Sequence, residues 1–276
     1  MKVKNKNILF NKYIITSSIM IFAISLASFC FFSNFIWNIH LGLEITLQNA
    51  SFDNYPRHGY TLMQVIAPVF ASTCMLSYVD FRNNASHFYP RVKSYQGYIL
   101  KKMFQYILMS CISMYVAYLL FLFLGAAVLK TNHQVDRYLF VEITGWNFSN
   151  EHPVLYFMLE GFVRYVVFMF VYCLFAVAIS FLTSKRYLYV LIPLIYFDLL
   201  AMATSMLERL VQLITGAELL PNLMFLAPTY TVMSNSREYI NGFAILFPLM
   251  PVLVFSVCVI GYRLYFDRRR DVYGIT

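Results

Sequence analysis

Residues 104–129 read FQYILMSCISMYVAYLLFLFLGAAVL, without one Asp, Glu, Lys or Arg. A helix that crosses a bilayer needs about 20 mostly apolar residues, and this stretch exceeds that. Working outward, Ile14–Ile39 and Ile240–Tyr262 are equally free of charge, and Tyr60–Val79 reaches about the minimum length. Two more stretches carry internal charges: Val154–Leu182 holds Glu160 and Arg164, and Tyr187–Met206 holds Asp198. Only Thr183–Arg186 separates these two. Its Thr-Ser-Lys-Arg is polar and interrupts a run too long for one helix, so it reads as a tight turn. The chain has 276 residues, 60% hydrophobic and 12% charged, with mean hydropathy +0.64. A soluble domain would carry about a quarter charged residues. The expected fold is an all-α membrane protein of six transmembrane helices, one domain over residues 1–276.

The net charge of +8 resembles a nucleic-acid signal until the charges are placed. Lys2, Lys4, Lys6 and Lys12 precede the first stretch. Arg82, Arg91, Lys93, Lys101 and Lys102 lie between the second and third, Lys185 and Arg186 between the fourth and fifth, and Arg263, Arg268, Arg269 and Arg270 at the end. The alternate gaps hold only Arg57, Lys130, Arg137, Arg209 and Arg237. Cytoplasmic loops are rich in Lys and Arg, so both termini are expected in the cytoplasm. No basic groove interleaved with aromatics is present, which argues against nucleic acid. Trp37 and Trp146 then fall at the outer interface, where an indole is favoured.

The first apolar run is too long for a signal peptide and no small-residue cleavage site follows it, so it reads as a permanent span. Met1–Tyr13 alternates Lys with Asn, then turns apolar at Ile8, Leu9 and Phe10. This suits an interfacial helix before the first span, or a basic flank that enforces topology. Cys30, Cys74, Cys111, Cys173 and Cys258 all fall in apolar stretches with neither disulfide nor zinc spacing. The Asn147-Phe148-Ser149 sequon is read as chance.

Two loops have more structure. Between spans five and six, Leu207, Leu210, Val211 and Ile214 keep helical spacing, and Gly216 and Pro221 then break it. Leu223–Leu226 is apolar again, ahead of Pro228. Neither half can span, so a broken re-entrant hairpin in the outer leaflet is expected. Between spans two and three, Val92, Tyr95, Ile99 and Met103 share one helical face, and Pro90 suits that helix's first turn. Span three therefore begins inside the cytoplasm near Arg91. Asp80–Phe88 could form a second short helix, with Asp80 favourable at its N-terminus.

This inner loop resembles that of the ABC-2 type permeases, the membrane subunits of one class of ATP-driven exporters. In that family an acidic residue ends span two, a short coupling helix follows, and a Tyr/Pro-Arg-x-x-x-Tyr pattern leads to a Lys at the start of span three. The matching residues are Asp80, then Tyr89-Pro90-Arg91-Val92-Lys93-Ser94-Tyr95, then Lys101 or Lys102. The membrane domains of G-type half-transporters carry a similar stretch. Ala85 departs from the pattern, where many members have Gly. The resemblance covers the whole chain as a plan and some twenty residues as a motif. It implies cytoplasmic ABC ATPase subunits as partners, contacted through Arg82, Asn83, Asn84, His87, Phe88 and Arg91, and a second permease subunit, identical or related. No phosphate-binding loop is present, so ATP and Mg belong to the partner, and this chain is expected to bind no cofactor and to be no enzyme. The expected place is the bacterial cytoplasmic membrane, among lipid. An apolar, aromatic-rich interior suggests a hydrophobic or amphipathic cargo: a peptide, toxin, drug or lipid-like molecule.

Charges inside spans are costly and mark function by default. Glu160 and Arg164 are spaced to share a helical face, and Asp198 lies near the middle of span five. They could form a polar element of a translocation path, or an ion pair that fixes how spans four and five pack. An ion-coupled secondary transporter using these three residues is an alternative, although no internal repeat is found. A non-transporting scaffold or sensor is another. Intramembrane protease signatures are absent, and His40, His58, His87, His133 and His152 form no spaced metal set.

Overall fold

The computed structural model describes residues 3–32, 95–128, 151–183, 185, 187–215, 247 and 249–273. All are helices or short connections, with no strand among the described residues. In chain order these are α1 (Val3–Phe32), α2 (Tyr95–Val128), α3 (Pro153–Gly161), a π turn (Phe162–Val167), α4 (Phe168–Leu182), α5 (Leu188–Thr215) and α6 (Met250–Tyr273).

The apolar runs account for most of these elements, and local chemistry sets several ends. Pro153 occupies the first position of α3, where its missing N–H costs nothing, and the Tyr156 N–H donates to the His152 carbonyl at 3.0 Å. After α4, Thr183 turns extended. The Lys185 N–H donates to the Thr183 hydroxyl at 3.2 Å, and the Leu188 N–H donates to the Lys185 carbonyl at 3.1 Å. That polar tetrapeptide is the tight connection its composition suggests. Pro193 lies inside α5 without ending it. The helix is described through Thr215.

Three boundaries differ from the sequence reading. The basic flank and the first apolar run form one continuous helix of 30 residues, so no separate interfacial helix precedes α1. Lys and Asn at its start do not break a helix that a long apolar segment propagates. The face at Leu207, Leu210, Val211 and Ile214 continues α5 for two turns beyond Met206 and is not an independent short helix. α6 runs past Tyr262 through Arg268, Arg269 and Arg270, because Arg is a good helix former and a bilayer boundary does not end hydrogen bonding. The predicted second span, the segment 216–246 and the inner loop before Tyr95 lie outside the described residues.

α4 is the hub. Apart from Phe170 and Leu182 its residues are all buried, and it packs against α2, α5 and α6. Phe175 stands at the crossing, its ring 5.3 Å from Tyr196 of α5 and 5.9 Å from Phe255 of α6. α1 packs mainly on α2 through a buried face of Ile14, Ser18, Ile21, Ser25 and Phe29. Small serines let the two backbones approach, as they do between helices in lipid. Phe29, near the C-terminal end of α1, meets Tyr118 and Phe121 near the C-terminal end of α2. The α1–α2 contact is the most extensive between any two described helices, more than an antiparallel course through Phe29 and Tyr118 leaves room for, so the two run parallel. α2 runs antiparallel to the α3–α4 rod, with Cys111 beside Val166 and Tyr118 beside Phe157.

Several serines inside the bundle are satisfied locally. Ser110 donates to the Tyr106 carbonyl (3.1 Å), Ser113 to Met109 (2.7 Å) and Ser256 to Val252 (2.6 Å), each one turn back along its own helix. The outer surface is apolar instead. Phe104, Leu108, Ile112, Val116, Leu120 and Leu124 make an exposed stripe along α2, one residue per turn. Soluble monomers rarely expose a contiguous apolar stripe of this length. Two described helices are long and apolar enough to cross a bilayer: Met103–Leu124 (mean hydropathy 2.3) and Tyr165–Leu182 (2.5). Ile14–Ala27 and Met250–Phe266 are apolar over shorter lengths.

Candidate functional site

The rod that corresponds to the fourth predicted span is not a uniform α-helix. Its N-terminal third is α3, its C-terminal half is α4, and Phe162–Val167 between them is wound with the wider i to i+5 pattern. π turns are rare and gather at functional sites. This one contains Arg164 and begins two residues after Glu160, two of the charges singled out from the sequence.

Hydrogen bonds from α2 bracket the turn. Tyr115 donates its hydroxyl to the Met158 carbonyl at 3.1 Å. The backbone N–H of Phe162 reaches that same carbonyl, and shares itself with the Leu159 carbonyl. The Phe162–Met158 bond is the ordinary i to i+4 one, so the Met158 carbonyl accepts from both helices where the wider winding begins. One residue earlier on α3, the Phe157 carbonyl accepts from the Tyr118 hydroxyl at 3.0 Å. At the other end of the π turn, the Cys111 thiol donates to the Val166 carbonyl at 3.7 Å. Cys111, Tyr115 and Tyr118 are spaced i, i+4, i+7, so one face of α2 carries all three donors.

Packing fixes the same junction. Gly161 is buried against the Tyr118 ring, and a Cβ added there would collide with it. The ring of Tyr165, inside the π turn, lies 5.0 Å from Tyr118 and 5.1 Å from Phe29 of α1. Phe121 stacks on Phe29 at 5.7 Å. These four rings, each at most 4% exposed, tie α1, α2 and the π turn into one aromatic knot. Tyr115 also meets Phe162 edge to face at 5.6 Å.

A second feature lies across the hub. Ile192, Ile195, Tyr196, Leu199 and Ala203 of α5 line an open, wholly apolar groove of about 400 Å³. Its floor adjoins Phe175 through Tyr196. Asp198 belongs to the same stretch of α5.

Of the residues proposed from sequence, Glu160 is the penultimate residue of α3, Arg164 lies in the π turn and Asp198 in α5, on two different rods. Their side chains lie outside the described ones. The ATPase-contact residues Arg82, Asn83, Asn84, His87, Phe88 and Arg91 also lie outside the described residues. Among the described residues, no group of three His, Cys, Asp or Glu could hold a metal ion. Sequence reading passed over Cys111, Tyr115, Tyr118 and Gly161. Their signal was weak, because the same run also holds Gln105, Tyr106, Ser110 and Ser113. Comparison of the chain with protein-family models, with curated proteins and with solved structures gives no match.

Proposed function

We propose that this chain is the membrane-spanning permease subunit of an ATP-binding cassette exporter of the ABC-2 type. It crosses the bilayer six times, pairs with a second permease subunit and is driven by separate cytoplasmic ATPase subunits. The cargo is hydrophobic or amphipathic and moves outward by alternating access. The observation that carries this reading is the length and continuity of α2. Its 34 residues extend over about 51 Å, well beyond the ~30 Å hydrocarbon layer. The residues before Met103 carry the helix toward the loop that resembles a coupling helix, and Lys101 there is exposed. The other end of the same helix grips the π turn. One rigid element thus joins the place where a motor would push to the place where the bundle is locally unwound.

The parallel course of α1 and α2 supports the span count. Two parallel helices that both cross a bilayer require a return crossing between them. Tyr60–Val79 is the stretch between Phe32 and Tyr95 long and apolar enough to make it. The basic residues before α1, before α2 and at the end of α6 then share one face, in accord with cytoplasmic termini. The apolar groove on α5 accords with a greasy cargo.

Affinity purification of the tagged, membrane-extracted protein tests the reading. An ATPase subunit is expected to co-purify and to be lost on replacing Asn84, Phe88 or Arg91 with Ala or Glu. Transport that persists in reconstituted vesicles without any nucleotide would assign the protein to the ion-coupled class instead.

A further inference from the structure

We infer that α2 is a latch on the π turn: Cys111, Tyr115 and Tyr118 hold Phe162–Val167 in its wide form, and their joint release lets the turn tighten into ordinary α-helix. The inference goes beyond the proposed function and holds whatever drives the movement of α2. Three observations carry it. The three donors sit on one face of a single rigid helix and bond carbonyls on both sides of the turn, at Phe157, Met158 and Val166. A slide of α2 by one residue's rise, about 1.5 Å, therefore stretches all three at once. An α-helical bond is also in place at the mouth of the turn, since the Phe162 N–H is shared between the Met158 carbonyl, four residues back, and the Leu159 carbonyl. Withdrawing the Tyr115 hydroxyl leaves the Met158 carbonyl to that α-helical partner. Finally, the ring of Tyr118 wedges against Gly161, where only a residue without Cβ admits it. Phe29 backs Tyr118 and Tyr165 from the α1 side.

The consequence is a rotation. Converting the π turn to α-helix shifts the register by one residue, which turns α3 by about 100° and about 1.5 Å relative to α4. α4 is the buried hub packed by three helices, whereas α3 is nine residues long and packs mainly on α2, so α3 is the part that moves. Glu160 travels with it, and Arg164 lies within the moving turn. A small axial displacement of α2 thus becomes a large change in where two intramembrane charges are carried.

Amide hydrogen exchange on the full-length protein in nanodiscs, resolved by peptide, tests the latch. Tyr115→Phe and Tyr118→Phe keep the rings and remove only the hydroxyl donors. The latch predicts that the double variant changes exchange at least tenfold in peptides covering 157–168 and leaves 171–182 as in the parent protein. The single Tyr115→Phe variant, the mildest change, should show a smaller effect in the same peptides. Exchange unchanged at 157–168 in both variants overturns the proposal, because the hydroxyls would then have no hold on the turn. An equal rise along the whole of 153–182 also overturns it, since that is general loosening of the rod. Neither result depends on an ATPase partner, so failure of the latch and failure of the proposed function are read separately.

Discussion

The ring of Tyr118 lies against the bare Cα of Gly161, and its hydroxyl donates 3.0 Å to the Phe157 carbonyl, one turn earlier on the same helix. One side chain thus makes both a close packing contact and a hydrogen bond to neighbouring turns. In an apolar interior that combination fixes the depth and rotation of two helices together, because neither hydroxyl nor carbonyl finds water in its place.

Gly161→Ala forces a Cβ into the Tyr118 ring. Overpacking of this kind costs about 1–3 kcal/mol. The thermal midpoint of the detergent-solubilised protein should fall accordingly. In a Tyr118→Ala background the same glycine change should cost almost nothing, and the difference between the two cycles measures the contact.

Tyr118→Phe removes one buried hydrogen bond and should cost about 1 kcal/mol. Tyr115→Phe acts at a half-buried site and should cost less. A shift of the unfolding midpoint larger for position 118 than for 115 is the expected order.

Phe29→Ala removes the ring that touches Tyr118, Phe121 and Tyr165 at once. Truncating a buried Phe costs about 3–5 kcal/mol. The loss should appear first as detachment of α1, detected as faster proteolysis within its buried face, while the α4–α5–α6 contacts around Phe175 persist.

The helical parts of this fold were legible wherever an apolar run was long enough to need a helix, as at 104–128 and 153–182. Their ends were less so. Lys4, Lys6 and Lys12 read as a flank, and Arg268–Arg270 as a tail, because charge marks where a bilayer ends and says little about where a helix does. Leu207, Leu210 and Ile214 gave the right periodicity and the wrong parent element. The π turn could not be read from residues 162–167 alone. No proline or polar run marks it, and the side chains that bond its flanks, Cys111, Tyr115 and Tyr118, belong to a helix some forty to fifty-five residues earlier in the chain. Glu160, Arg164 and Asp198 stood out because charge inside an apolar run is conspicuous. The tyrosines that organise the turn did not, because Tyr is common throughout this chain.

Labelling with a membrane-impermeant thiol reagent tests the topology. Cysteines introduced at Lys4 and Arg268 should react only after the membrane is opened, and one introduced at His133 should react in intact cells. Reaction of Arg268→Cys from outside would reverse the assigned orientation of α6.

Asp198→Asn removes the charge from the middle of α5. Lower expression or weaker assembly of the protein is expected, read by size-exclusion profile and yield. Normal yield together with normal transport would remove Asp198 from both the path and the packing.

The central claim is that a cytoplasmic motor acts on the loop joining the second span to α2. Photo-crosslinking from a reactive amino acid placed at Phe88, in intact cells and with adducts identified by mass spectrometry, addresses it most directly. The account predicts that the dominant adduct is a nucleotide-hydrolysing subunit carrying a phosphate-binding loop. Adducts formed only with lipid or with outer-face proteins, and none with such a subunit, would contradict it.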